Sequence, residues 1–180
     1  TQFTISIGLV SVSFLALFGT LILLPLYMQY VLGHDTLVTG LTILPGGLAM
    51  GLLAPVVGRL YDRFGPRPLV IPGAGLVSAV LWTMTLFGTD TPVEAVVVTH
   101  VLMSLGLGLM FTPLLTGALS SLEPGLYSHG SAVVGTIQQV AGAAGTASFV
   151  AIMSAVSAGR IAGGADEIVA QADGVTTAFT

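Results

Sequence analysis

Long apolar runs separated by short polar stretches dominate this sequence. No charged residue occurs in the first 34 positions, and runs of similar character recur along the chain. A helix needs about 20 consecutive apolar residues to cross the hydrocarbon core of a bilayer. The pattern therefore predicts five membrane-spanning helices, at approximately residues 5–31, 37–57, 68–88, 94–115 and 131–157.

The polar stretches between these runs predict loops that alternate between the two sides of the membrane. Three of the four basic residues fall between positions 59 and 67, and arginine is enriched in short cytoplasmic loops. We therefore place 58–67 and 118–130 in the cytoplasm and 159–173 outside. Arg160 is the basic residue that lies on the other side in this assignment.

Local signals refine the ends of the first two helices. Pro25 is predicted to bend the end of the first helix, because proline cannot donate to the preceding turn. Asp35 or Thr36 is predicted to cap the second helix. The chain starts at Thr1, and another apolar stretch opens at 174–180. We read it as a single membrane domain, 1–180, cut from a longer protein.

Composition excludes several classes of function. Of the 180 residues 54% are hydrophobic and only 7% are charged, whereas a soluble domain carries about 25% charged residues. The formal net charge of −4 lacks the basic surface that nucleic acid requires. No cysteine is present, which removes disulfides and thiolate ligands. We predict the lipid bilayer as a partner, with no nucleic acid, no metal, no cofactor and no catalytic residue.

The fifth apolar run has two unlike faces. At 3.6 residues per turn its small and polar positions share one side, namely Ser131, Gly135, Gln138, Gln139, Gly142 and Thr146. Aliphatic positions such as Val133 and Val140 lie opposite. Lipid offers no partner for a glutamine. Gln138 and Gln139 therefore either line a substrate cavity or join two helices by hydrogen bonds worth about 0.6 kcal/mol.

Three further residues are candidates for lining a cavity. Tyr27 and Gln29 lie at the end of the first run, where an aromatic ring suits either a varied apolar substrate or the membrane interface. His100 lies inside the fourth run and titrates near neutral pH. It either carries a proton or is hydrogen-bonded to a neighbouring helix.

Residues 58–67 read Gly-Arg-Leu-Tyr-Asp-Arg-Phe-Gly-Pro-Arg. They resemble the signature loop of the major facilitator superfamily, whose pattern is Gly-x-Leu-x-Asp-Arg-x-Gly-Arg-Arg/Lys. The matching positions are Gly58, Leu60, Asp62, Arg63, Gly65 and Arg67, whereas Pro66 replaces a basic residue. In the family this loop joins the second and third helices of each six-helix half, which is the register that it occupies here.

Three other blocks are similar to the second half of the 14-helix drug:proton antiporter branch of this superfamily. They are residues 24–29, residues 40–48, and residues 129–132 together with 138–147. Two positions depart from that branch: an Arg-Gln pair is common where Gln138 and Gln139 stand, and an asparagine is common at Gly135. The resemblance implies an all-α, polytopic membrane protein with five transmembrane helices of one six-helix half.

The resemblance also implies a mechanism. In this superfamily two halves rock about a central substrate site, and the proton gradient supplies the energy. The signature loop would act as a conformational latch formed by Gly58, Arg59, Asp62, Arg63, Gly65 and Arg67. A helix-terminal charge contact of this kind is worth roughly 0.3–1 kcal/mol, weak enough to break in each cycle. The alternative is a simple topology signal with solvated charges.

The sequence thus predicts the carboxy-terminal half of a proton-driven multidrug exporter in a prokaryotic cytoplasmic membrane, of a type associated with antibiotic resistance. A small-molecule substrate and the missing amino-terminal half are the expected partners. One alternative is an exporter of a single metabolite or antibiotic. From other classes, a non-transporting scaffold stays open, whereas a membrane enzyme lacks paired acids or a nucleophile with its base at membrane depth.

Overall fold

The chain folds entirely into helices joined by short connections. A computed structural model describes residues 2–180, with side chains from Phe3 onward, and Thr1 of the predicted domain lies outside the described residues. The elements are α1 (Gln2–Leu26) with a π-helical turn (Tyr27–Val31), α2 (Thr36–Phe64), α3 (Arg67–Met84), α4 (Val93–Ser120), a 3-10 turn (Pro124–Leu126), α5 (Tyr127–Ala162) and α6 (Glu167–Ala178).

Five of these helices are long and apolar enough to cross a membrane. They are α1 with its π turn, α2, α3, α4 and α5, so the predicted all-α membrane fold is confirmed. Helices α2, α4 and α5 extend five residues or more past the end of their predicted spans, because polar, small or charged residues that follow an apolar run do not by themselves end a helix. Helix α3 instead ends at Met84, four residues before the predicted boundary, where bonds such as Phe87 N–H to the Met84 carbonyl form a tighter turn.

Residues 58–67 were expected to form a loop, and most of them are helical. Helix α2 continues through the charged segment to Phe64. It ends at Gly65, whose φ of 76° lies in the left-handed region that favours glycine. The Gly65 N–H donates to the Tyr61 carbonyl at 2.8 Å. The connection to α3 is therefore only two residues long.

The two other predicted loops are also shorter than expected. Within 118–130, α4 reaches Ser120 and α5 begins at Tyr127, with a 3-10 turn between them. Within 159–173, α5 reaches Ala162 and α6 begins at Glu167. Asp166 caps α6 by accepting from the Ile168 N–H at 2.9 Å. Turn chemistry at these few positions is enough to reverse the chain, so the flanking polar residues stay helical.

The end of α1 shows the effect of Pro25. This proline lies in the last turn of α1, and the wider π turn follows it directly. A missing N–H frees a carbonyl of the preceding turn, which favours such a local widening. The turn closes at Gly33, where the His34 N–H donates to the Met28 carbonyl at 2.9 Å. Asp35 then caps α2 by accepting from the Val38 N–H at 2.8 Å, as predicted.

Helix α4 lies at the centre and packs against α1, α2 and α3. Close approach depends on glycine pairs, as is common for helices in lipid. Gly73 of α3 faces Gly106 of α4, and a Cβ at Gly73 would lie 2.8 Å from the Gly106 carbonyl oxygen. Gly108 fits against Met50 and Leu53 of α2. Because α1, α2 and α3 all pack against α4, many of its side chains are buried.

The other flank of the bundle consists of α5 and α6. Helix α5 packs on α1 where Gly145 meets the Leu15 backbone. Helix α6 folds back on α5, and the Ser157 hydroxyl donates to the Ala170 carbonyl at 3.0 Å. Arg160 forms an ion pair with Asp173. Helix α1 therefore packs against α4 on one side and against α5 on the other.

Candidate functional site

Residues 58–67 are called the signature segment below. Their charged side chains lie on the exposed end of α2 and at the start of α3. Arg59, Asp62, Arg63 and Arg67 are all exposed, whereas Gly58 and Gly65 are partly buried. The Arg63 guanidinium lies 5.2 Å from the centre of the Phe64 ring. This places the charge at one end of the bundle, where α2 and α3 meet.

Asp62 occupies a position that disfavours a carboxylate. It lies in the last turn of α2, and the carbonyl groups at a helix C-terminus repel negative charge. Among residues 2–180 the structure holds one ion pair, Arg160 with Asp173, so Asp62 does not pair with Arg59, Arg63 or Arg67. The residues of the predicted latch therefore form no ion pair with one another in the described part of the chain.

A groove of about 430 Å³ runs between α1 and α5 on one side of their contact. Its lining combines an aromatic ring with small and polar residues, namely Phe18, Gln139, Gly142, Ala143, Thr146 and Ala147. Gln139 is exposed here and Gln138 beside it is half-buried. The glutamine face of α5 thus borders an open surface at Gln139 and lies partly within the bundle at Gln138.

An aromatic row connects this groove to α4. Phe18 stacks on Phe14 with ring centres 6.1 Å apart, and Phe14 contacts Phe111 of α4 at 4.8 Å. Sequence reasoning missed these three residues. The i, i+4 spacing of Phe14 and Phe18 was the available signal, since it puts both rings on one face of α1. Together the row and the groove form a concave surface on α1, between α4 and α5.

Tyr27 does not reach this surface. Its side chain is fully buried, its hydroxyl donates to the Gly88 carbonyl at 2.6 Å, and its ring stacks on Phe87 at 5.5 Å. It therefore ties the π turn to the connection after α3, which argues against a role in lining a cavity. Gln29 in the same turn is half-buried, and no described contact joins it to Gln139.

His100 lies in the interface between α4 and α2. It is 5% exposed, and its Nδ1 has no hydrogen-bond partner among the described residues. A Cβ at Gly46 of α2 would overlap the imidazole and would lie 2.7 Å from the Ser104 hydroxyl. The ring thus fills the space left by a missing side chain. Among the described residues no group of three or more His, Asp or Glu side chains could hold a metal ion.

Comparison of the sequence with those of known proteins identifies relatives of this chain. The chain is 42% identical over 154 residues to the lincomycin resistance protein LmrB of Listeria monocytogenes, covering 86% of this chain and 33% of that protein. It is 35% identical over 136 residues to the multidrug resistance protein B homolog of Mycobacterium tuberculosis, covering 74% and 25%. It is 30% identical over 172 residues to the puromycin resistance protein pur8 of Streptomyces alboniger, covering 92% and 34%.

The chain spans about a third of the length of the relatives first compared. The family model described as Major Facilitator Superfamily matches residues 2–146, which is most of the chain. That match includes the signature segment, α1, α4 and the part of α5 up to residue 146. With its five apolar helices, this chain is a multi-pass protein of the cell membrane, and it belongs to the Major Facilitator Superfamily.

Proposed function

We propose that this chain is the carboxy-terminal half of a drug exporter that uses the proton gradient and works by alternating access. The observation that carries the proposal is the concave surface formed by Phe18, Gln139 and Thr146 on the α1–α5 flank. Its aromatic and polar groups suit small apolar or cationic compounds. The other half of the transporter would close this surface into a cavity.

The names of the relatives support export of drugs. One relative is named for multidrug resistance, and others are named for lincomycin and puromycin resistance. We orient the chain so that the signature segment of α2 faces the cytoplasm, because its arginines would be costly to translocate. The turns at 32–35 and 85–92 and the connection before α6 then lie outside.

The latch proposal rests on Asp62. Its carboxylate lies at an unfavourable helix end and has no cationic partner within the described residues. A partner from the other half would offset the repulsion by roughly 0.3–1 kcal/mol. The same contact would be shaped and charged by Gly58, Arg59, Arg63, Gly65 and Arg67. It would form in one state of the transport cycle and break in the other.

Efflux by the full-length gene product tests both proposals. Cells that express it should extrude a cationic dye when energised, and a protonophore should abolish extrusion. Asp62→Asn removes the charge at constant size, and the efflux rate should fall about twofold to fivefold, the factor that corresponds to the energy of one such contact.

Asp90→Asn is the matched control, because Asp90 is an exposed carboxylate in the turn before α4, and this variant should transport normally. Equal membrane levels of all variants are required, by immunoblot. An efflux rate that is unchanged in Asp62→Asn would mean that the segment serves only as a topology signal. Absence of efflux for every dye and every antibiotic tested would favour the non-transporting scaffold.

A narrower substrate is the second candidate. Two of the relatives are named for resistance to a single antibiotic, which favours an exporter of one compound class. Cells would then resist lincomycin or puromycin but would not extrude dyes. A panel of growth-inhibition measurements separates this outcome from multidrug export.

A further inference from the structure

The imidazole of His100 packs against the part of α2 that bends most readily. Residues 45–47 read Pro-Gly-Gly inside this helix. A Cβ at Gly46 would lie 2.7 Å from Nε2 of the ring, and the Ile43 carbonyl also interacts with the ring. Helices bend at proline, which lacks an N–H, and at small residues such as glycine. The ring therefore lies where a bend in α2 would part that helix from α4.

One nitrogen of this ring has no partner. The side chain is 5% exposed, and Nδ1 is buried without a hydrogen bond to any described residue. Only the Thr20 hydroxyl oxygen shares this condition within the described part of the chain. A hydroxyl does not titrate near neutral pH, whereas an imidazole does. His100 is therefore the buried, unpaired group whose charge a proton can change.

The packed interface offers no carboxylate to a charged ring. Titratable residues of the surrounding elements lie near the helix ends, namely Tyr27 and Tyr30 after α1, Asp35 before α2, Arg59, Tyr61, Asp62 and Arg63 on α2, Arg67 on α3, Glu94 on α4, and Tyr127, His129 and Arg160 on α5. Glu94 precedes His100 by about 9 Å along the axis of α4 at 1.5 Å per residue, and it is exposed. An imidazolium would therefore have to be stabilised by water.

His100 lies nearer to the outer end of α4 than to its cytoplasmic end. In the orientation proposed above, α4 begins outside at Val93, so His100 is about 10 Å from that end. The hydrocarbon core is about 30 Å thick. Water that entered from outside between α2 and α4 would reach the ring within the first third of the membrane.

We propose that His100 binds the transported proton of this half when α2 bends away from α4 at residues 45–47. Nδ1 accepts the proton from water on the outer side and becomes part of an imidazolium. When the helices pack again and the transporter opens to the cytoplasm, the proton returns to water on that side. This inference rests on the proposed proton-driven export and assigns a proton-carrying residue to it.

Proton binding would itself favour the bent form of α2. A ligand shifts a conformational equilibrium toward the state that it binds more tightly. The packed interface gives a charged ring neither an anion nor water, and a buried charge without a partner is costly. The proton therefore binds the parted state better, which links the charge of His100 to the contact between α2 and α4.

Thiol labelling from outside tests the proposal without a substrate. In a cysteine-free version of the full-length protein, Ser104→Cys places a thiol in the interface, where Ser104 is 6% exposed and lies beside Gly46. Its reaction rate with an impermeant methanethiosulfonate is divided by that of the exposed Asp90→Cys. This ratio should be about tenfold higher at an external pH of about 5.5 than at about 7.5. A ratio independent of pH would overturn the proposal.

Two matched controls separate the charge of His100 from other effects. His100→Gln keeps a polar side chain but cannot titrate, so the labelling ratio should lose its pH dependence. Thr20→Val removes the other buried, unpaired polar group, and His129→Gln removes an exposed histidine. Both controls should retain the pH dependence of the parent protein. Retention in His100→Gln, or equal loss in the controls, would overturn the proposal.

Efflux distinguishes failure of this inference from failure of the proposed export. Energised cells that express the full-length protein should extrude the cationic dye ethidium faster at acidic external pH. At equal membrane levels His100→Gln should be slower by about tenfold and should lose this acceleration. Efflux that a protonophore leaves unchanged in wild type would overturn proton-driven export itself. Protonophore-sensitive efflux at equal rates in wild type and His100→Gln would overturn the role of His100 alone.

Discussion

At the residue scale, burial separates the candidate site residues into two groups. Tyr27 and His100 pack inside the bundle, whereas Gln139 borders an open groove. Sequence position alone does not distinguish these cases, because all three lie in apolar helices. The distinction depends on which neighbour faces each side chain, as Gly88 faces Tyr27 and Gly46 faces His100.

The Tyr27 hydroxyl provides a prediction about stability. Tyr27→Phe removes the hydrogen bond to the Gly88 carbonyl, which still accepts from the Thr91 hydroxyl at 3.1 Å. We expect a loss of roughly 0.5–1.5 kcal/mol, measured as a lower melting temperature in detergent. Tyr30→Phe is the control, because Tyr30 is 60% exposed, and its melting temperature should be unchanged. An equal shift in both variants would contradict a specific role for the bond.

At the element scale, the lengths of the helices follow from hydrophobicity but their contacts do not. Apolar runs predict where each helix crosses the bilayer. They do not show which glycine meets a neighbouring helix, since Gly145 touches the Leu15 backbone whereas Gly135 on the same helix touches nothing within 4 Å. Packing partners depend on tertiary arrangement, which the period of one helix does not contain.

This pair of glycines gives a matched test of the contact between α1 and α5. A Cβ at Gly145 would lie 2.8 Å from the Leu15 Cα, and backbone cannot move aside as a side chain can. Gly145→Ala should destabilise the protein by roughly 1–3 kcal/mol. Gly135→Ala should be neutral or stabilising, because alanine favours a helix more than glycine does. Thermal unfolding of both variants, with retained monodispersity, decides the matter.

At the scale of the whole molecule, the sequence was sufficient for fold class and family but not for the concave surface. The signature segment was recognised from its own residues, because Gly58, Asp62 and Gly65 match the superfamily pattern at its fixed spacing. The aromatic row of Phe14, Phe18 and Phe111 is assembled from two helices. Such a surface exists only after α1 is packed between α4 and α5.

The concave surface leads to a prediction about transport by the full-length protein. Gln139→Ala removes a polar side chain from the groove beside Phe18. If that side chain contacts substrate through a hydrogen bond of roughly 0.5–1.5 kcal/mol, the apparent affinity should change by about 2- to 10-fold. Concentration-dependent efflux from energised cells measures this change.

Val133→Ala is the control for that experiment, because Val133 is exposed on the aliphatic side of the same helix. Its transport should match wild type at equal membrane levels. A Gln139→Ala protein with unchanged affinity for every substrate tested would mean that the glutamine serves only to join helices.

The π turn at the end of α1 has a consequence for the length of the chain. A π turn is equivalent to one residue inserted into an α-helix, and here the insertion lies within Tyr27–Val31. Deleting one residue from this stretch would let the turn relax to ordinary α geometry, with the connection to α2 kept in place. The same deletion further back in α1 would rotate everything beyond it by about 100°. This stretch is therefore where natural variants should lose a single codon without losing the fold.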